Sequence, residues 1–239
     1  RMVDIKLDDL QYIADSSGKN EPTLKKFKIL MNAIFKYAVI HDIIPPDMNK
    51  VSYLNIKKAG NPDRRDRMPF STAEIQKLWK HKDANGYCNV ILMLIYTGCR
   101  ISELLALKKE DINLQEKWFD IKKSKTAAGV RRVPIADKVL PFFEFWYTLN
   151  GCKYLISTPE GKPFEYRNYY DSYWKPLVEQ LNMKHRPHDT RHTCVSLLAA
   201  AGIDERIIKK IVGHAGQGVT ENVYTHYELE SLREAINKI

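Results

Sequence analysis

Four separated stretches of this chain gather side chains suited to phosphate chemistry. TGCRISELL sets Arg100 directly after an apolar run and a glycine, with Glu103 one helical turn on. IKKSKTAAGVRRVPI carries Lys122, Lys123 and Lys125, then Arg131 and Arg132, around a polar connector. RPHDTRHT spaces His188 and Arg191 three apart, on one helical face beside an N-terminus whose free N–H groups favour an anion. Asp189 is a candidate cap there, and His192, turned about 100° from Arg191, is given a packing or supporting role. IVGHAGQGVTENVYTHYELE places His214 after a helix-ending glycine and Tyr224 ten residues on.

Each stretch alone has a plainer explanation: a surface Arg–Glu pair, a solvated hairpin, a polar cap. Taken together, two arginines, one lysine and two histidines can surround one phosphate and neutralise the charge of a displacement transition state. A tyrosine hydroxyl can attack phosphorus, but its ordinary pKa of about 10 calls for activation by nearby cations or a base. No carboxylate cluster suits magnesium and no cysteine–histidine spacing suits zinc, so the expectation is chemistry without metal or cofactor. Rivals remain within the set. Tyr227 also follows a histidine, and Lys122 and Lys123 compete with Lys125.

These residues need a scaffold, and the rest of the chain supplies its outline. Lys plus Arg total 38 against 29 acids, a formal net charge of +9, which favours a polyanionic partner, nucleic acid before anionic membrane. No apolar run reaches membrane-spanning length and no signal peptide is visible. Cys88, Cys99, Cys152 and Cys194 lack paired spacing and read as reduced thiols of a cytoplasmic protein. A chain opening Arg-Met-Val is expected to have lost an N-terminal part.

Helical periodicity covers 5–14 and 22–42, the second with Leu24, Phe27, Leu30, Met31, Ile34, Phe35 and Ala38 on one stripe, halted by Pro45 and Pro46. Residues 57–70, KKAGNPDRRDRMPF, read as a basic linker containing Arg64, Arg65 and Arg67. They separate a small helical piece, 1–56, from a larger domain, 71–239. That domain opens with a capping box, Ser71 and Glu74, on a helix to His81, followed by an apolar helix 87–97 and a turn at Gly98. Strand candidates at 112–114, 117–122 and 130–135 precede helical segments at 137–149, 166–181, 189–201, 204–212 and 228–237. The tail stripe of Leu229, Leu232 and Ile236 could dock on its own domain or on a neighbouring protomer. The predicted class is mostly α with a small antiparallel β-sheet, α+β.

In order, TGCRISELLAL, KSKTAAGVRRVPI, HDTRHT, IVGHAG and VYTHY resemble the active-site boxes of the tyrosine recombinase/phage integrase family. The likeness is greatest to integrases of phages and integrative conjugative elements. It implies that Arg100 and Arg191 clamp the phosphate, Lys125 protonates the leaving 5′-oxygen and His188 handles the nucleophile's proton. His214 would bond the scissile phosphate, Tyr224 would be the nucleophile, and Glu103 would support the architecture. Thr190 departs mildly from the family pattern, which often has an apolar residue there.

The resemblance further implies a catalytic domain preceded by a partial, N-terminally truncated core-binding domain. The pair would clamp duplex DNA, with Lys122, Lys123, Arg131, Arg132, Arg64, Arg65 and Arg67 as DNA contacts. It implies a site-specific recombinase acting through a 3′-phosphotyrosine, as a homotetramer on attachment or recombination sites, with accessory DNA-bending proteins as possible partners. The setting would be the bacterial cytoplasm and nucleoid. Two alternatives stay open: a type IB topoisomerase-like nicking-closing enzyme, and a non-catalytic DNA-binding protein of the same fold.

Overall fold

The computed structural model describes residues 1–57, 68–83, 86–124, 127–214 and 229–239. Arg64, Arg65, Arg67, Lys125, Tyr224 and its rival Tyr227 lie outside the described residues. The chain divides into two compact units, Arg1–Asp66 and Arg67–Ile239.

The smaller unit is built on α1 (Leu7–Ser16) and α2 (Glu21–Ile40), followed by short 3-10 turns at Pro46–Met48 and Val51–Tyr53. Its core contains Leu10, Ala14, Leu24, Phe35, Ala38, Ile44, Val51 and Leu54. Gln11 fastens the returning chain, donating to Asn55 O at 2.8 Å and accepting from Asn55 N at 2.9 Å, while Lys28 Nζ donates to the carbonyls of Ser52 and Leu54. The predicted stripe on α2 is too wide. Leu30 and Ile34 are exposed, because the short returning segment covers only the face of Leu24, Phe27, Met31, Phe35 and Ala38. The helix also ends before Pro45, leaving through Asp42 at φ 54°.

The larger unit opens earlier than residue 71. Phe70, expected in the linker, is buried, stacks on His185 with ring centres 3.8 Å apart, and donates its N–H to Thr193 Oγ1. Helix α3 (Thr72–His81) carries the predicted capping box: Ser71 Oγ accepts from Glu74 N, and Ser71 N donates to Glu74 Oε2. Helix α4 (Gly86–Ile95) has every residue from Cys88 to Ile95 buried, so it runs through the core with no solvent face. The short α5 (Ile101–Leu105) follows.

Strands β1 (Ile112–Asn113), β2 (Trp118–Ile121) and β3 (Arg131–Pro134) form one antiparallel sheet in that order. Phe119 pairs with Val133 and Ile121 with Arg131 on the inner face, and Asp120 with Arg132 on the outer. Helix α6 (Leu140–Thr148) comes next. The predicted helix 166–181 is interrupted: α7 (Tyr166–Tyr169) passes through a π segment, Tyr170–Trp174, into α8 (Lys175–Gln180). Pro176 at the start of α8 has no N–H to donate back to Ser172, and the widened turn accommodates that loss.

Helices α9 (Pro187–Ala200), α10 (Glu205–Val212) and α11 (Leu229–Ile236) complete the unit. Leu232 and Ile236 of the predicted stripe enter the same core, joined by Ala235, so these residues pack on their own domain, against β3 and α10, while Leu229 stays half-buried outside the cluster. Asn237 adds a bond from Asp137 N to its Oδ1. The architecture is mostly α with one small antiparallel sheet, as the periodicities predict. Among the described residues no helix is long and apolar enough to cross a membrane.

Candidate active site

Arg100 reaches its place through a forced turn. Gly98, at φ +63°, leaves α4 where a Cβ would sit 2.7 Å from Val212 Cγ1 and 3.0 Å from Cys194 Sγ, so only glycine fits both the backbone and the gap. Arg100 then caps α5. Its N–H donates to Glu103 Oε2 at 3.0 Å, and its Nη1 donates to Oε1 at 2.6 Å. Glu103 is buried and Arg100 partly exposed, so the guanidinium is steered from inside while one side stays open.

Helix α9 brings Arg191 to the same place. Its side chain is buried, Nη1 donates to Gly98 O at 2.9 Å, and buried Nη2 has no hydrogen-bond partner among the described residues. His188, one turn earlier, is exposed and meets His192 edge-on, with ring centres 4.9 Å apart. His192 therefore stands on the same face as His188, with its Nε2 buried and unbonded among the described residues. Asp189 accepts from Arg186 N and tightens the first turn. Thr190, the departure from the family pattern, is fully buried and donates its hydroxyl to Pro187 O, a bond that offsets the cost of taking it out of water.

The β2–β3 hairpin overturns one expectation. Arg131, grouped by charge with DNA-facing cations, turns inward with its side chain 2% exposed. It donates to Ile211 O at 2.7 Å, Gly129 O at 2.9 Å and Glu103 Oε2 at 3.3 Å. A group so enclosed has no surface from which to touch a duplex. Arg132 faces outward, paired with Asp120 at 2.9 and 3.0 Å and lying 3.5 Å over the Trp118 ring. Lys122 is exposed and paired with Asp111, and Lys123 is exposed.

His214 follows α10 by way of Gly213, at φ +69°, where a Cβ would come within 2.8 Å of Arg131 Nη1 and 2.9 Å of Ala128 O. Arg131 thus packs directly on the turn that delivers His214.

The cationic groups lie close enough to perturb one another. Burial, then the nearby Arg100 and Arg131, push Arg191 down to about 10, still protonated at neutral pH. Desolvation of the inner side of His214, then Arg191, Arg100, His192 and Arg131, hold that imidazole below its usual value. Burial would raise the Glu103 carboxyl, but the Arg131 charge and the Arg100 and Arg131 hydrogen bonds overcome it and hold the acid ionised. One carboxylate among three guanidiniums leaves positive charge that an arriving anion can balance.

The described residues thus gather Arg100, Glu103, Arg191 and His214, with His188 linked through His192; among them no cluster of His, Cys, Asp and Glu is placed to hold a metal ion. The sequence reading misplaced one contributor, Arg131, and missed two. Strand alternation puts Arg131 on the face of Val133 and carries the signal for its inward turn. His185, between Glu74 Oε1 at 3.2 Å and Asp189 Oδ2 at 3.4 Å, ties α3 to α9, and Ser124 Oγ donates to Glu103 Oε1. Nothing local marks either one.

The phage integrase family model matches residues 70–230. The tyrosine recombinase XerA of Pyrococcus horikoshii is 29% identical over 197 residues, 76% of this chain and 65% of that protein. A tyrosine recombinase of Thermosipho africanus is 24% identical over 235 residues, 94% of this chain and 79% of its own length. The chain therefore spans slightly less than two thirds of the XerA relative. Among solved structures, the Tn1549 transposon integrase in complex with circular intermediate DNA superposes with a TM-score of 0.76 at 23% identity, covering 98% of this chain and 85% of that one. A lambda integrase tetramer bound to a Holliday junction gives 0.71 at 16% identity, over 90% and 66%. At these identities the structures speak for the fold, and the family match covers most of the larger unit: the chain belongs to the phage integrase family.

Proposed function

We propose that this protein cuts and rejoins DNA strands as a site-specific tyrosine recombinase, with the larger unit as its catalytic domain and the smaller as part of a core-binding domain. The observation that carries this reading is Arg191: a buried guanidinium with an unpartnered Nη2 among the described residues, crowded by Arg100 and Arg131 and mounted near a helix N-terminus. Such a site favours a phosphate over any neutral ligand.

In the proposed reaction the Tyr224 hydroxyl attacks the scissile phosphorus and passes its proton to His188. The new Tyr–O–P bond forms as the bond to the 5′-oxygen breaks, and that oxygen takes the electron pair and a proton from Lys125. Arg100, Arg191 and His214 hold the phosphate oxygens, where positive charge supports the developing transition state. Reversal with a 5′-hydroxyl from another strand completes the exchange. The cations do the work that a metal does elsewhere, so no metal is invoked. Lys122, Lys123 and Arg132, with linker residues Arg64, Arg65 and Arg67, are proposed DNA contacts. A homotetramer on two DNA sites is the proposed assembly, by analogy with the lambda integrase tetramer on its junction.

Covalent trapping on a nicked suicide duplex tests this. Tyr224→Phe should lose the adduct and keep duplex binding. An adduct formed by Tyr224→Phe but not by Tyr227→Phe would move the nucleophile to Tyr227. Wild-type cleavage should persist in EDTA, and its loss there would sink the metal-free reaction.

A further inference from the structure

The Glu103 carboxylate does more than hold Arg100. Its Oε1 accepts from Arg100 Nη1 at 2.6 Å and from Ser124 Oγ at 3.2 Å, and its Oε2 accepts from Arg100 N at 3.0 Å and Arg131 Nη2 at 3.3 Å. Two donors on each oxygen account for the usual acceptor capacity of an ionised carboxylate. Two of these four bonds come from the β2–β3 hairpin, one from each side of the connector 125–130. Ser124 immediately precedes Lys125 in the sequence, and Arg131 opens β3. Arg131 also donates to Gly129 O inside the connector and to Ile211 O at the end of α10, the helix that leads to His214.

We infer that Ser124 and Arg131 are positioning residues, clasping both ends of the connector to Glu103 so that Lys125 can deliver its proton to the leaving oxygen. The inference rests on the proposed role of Lys125 as general acid. A connector tied at both ends has fewer conformations to search, and proton transfer needs the donor within hydrogen-bond reach of the leaving oxygen. Placing the clasp on Glu103 makes the carboxylate that steers Arg100 also set the acid, so clamp and proton donor share one reference point. Neither Ser124 nor Arg131 is assigned a contact with the reacting atoms.

The test uses Ser124→Ala, which removes one hydroxyl from a partly buried site and should leave folding intact. Displacements of about 1 Å cost up to about 100-fold in such reactions, so loss of one tether should slow cleavage of ordinary DNA by roughly tenfold. A substrate with sulfur in place of the 5′-bridging oxygen has a leaving group that needs no proton. On it, Ser124→Ala should run within about twofold of wild type, and Ser124→Thr should restore ordinary cleavage, since only proton delivery is affected. Arg131→Lys, scored by the ratio of rates on the two substrates, gives the same readout from the other end. Equal slowing of Ser124→Ala on both substrates, with Lys125→Ala restored by sulfur, overturns the clasp alone. Full speed of Ser124→Ala on ordinary DNA also overturns it. A Lys125→Ala enzyme that stays slow on the sulfur substrate overturns the general-acid reading of Lys125, and with it the purpose assigned to the clasp.

Discussion

The two faces of the β2–β3 hairpin hold neighbouring arginines in opposite circumstances. On the inner face Arg131 is enclosed, and three of its contacts are to Glu103 and two backbone carbonyls. On the outer face Arg132 sits across from Asp120 and over Trp118, with about half its side chain in solvent. Both arginines are paired with a carboxylate, and the outer pair has the shorter distances. The inner pair nonetheless matters more, because water can replace a lost partner outside and cannot do so inside. The same reasoning separates what the two faces are for: the inner one orders a reaction pocket, and the outer one presents an already balanced charge.

The largest effect that would break this contrast is at Glu103. Glu103→Ala leaves Arg131 buried without its counter-ion and should cost about 3–5 kcal/mol. The four tryptophans, Trp79, Trp118, Trp146 and Trp174, all lie in the larger unit, so urea unfolding followed by their fluorescence reports on that unit alone. A loss below about 1 kcal/mol, the range of exposed pairs, would mean that solvent reaches the inner face after all.

The cationic pocket behind the hairpin should also leave a signature in pH. The His214 pKa is held below its ordinary 6.5 by desolvation and by Arg191 and Arg100. Below about pH 6.5 the unfolded chain therefore takes up a proton that the folded one refuses, so stability should fall with pH there and stay level above. His214→Gln should flatten that slope. Inorganic phosphate should reverse the discrimination, since an anion beside His214 favours its charged form. A slope unchanged by His214→Gln would place the pocket's charge elsewhere.

How much of this was legible before folding depends on whether the signal is local. Ser71 and Glu74 announce the start of α3 because a cap is a contact three residues long, and the apolar run of α4 announces its own burial. The order of Arg100, His188, Arg191 and His214 points to one phosphate because each sits beside a helix terminus or turn that its own sequence specifies. Arg131 was open to misreading because charge suggests surface, whereas its alternation with Val133 suggests core, and the alternation prevails. Leu30 and Ile34 match the helical period of α2, but the segment that packs there is too short to cover them. The bond from Ser124 to Glu103 spans 21 residues and has no sequence pattern at all. Tertiary partners decide these cases, and spacing along one element does not name the partner.

Arg132 gives the smallest effect and the finest discrimination. Arg132→Ala removes an exposed pair with Asp120 and a cation resting on Trp118, contacts worth on the order of 1 kcal/mol or less together once solvent screening is counted. A double-mutant cycle with Asp120→Ala isolates the ion pair, and its coupling should shrink as salt rises, because screening acts on a half-exposed pair. Coupling that approaches the Glu103–Arg131 value, or that ignores salt, would show the outer face to be as dry as the inner one. Burial would then no longer explain why two adjacent arginines on one strand serve different ends.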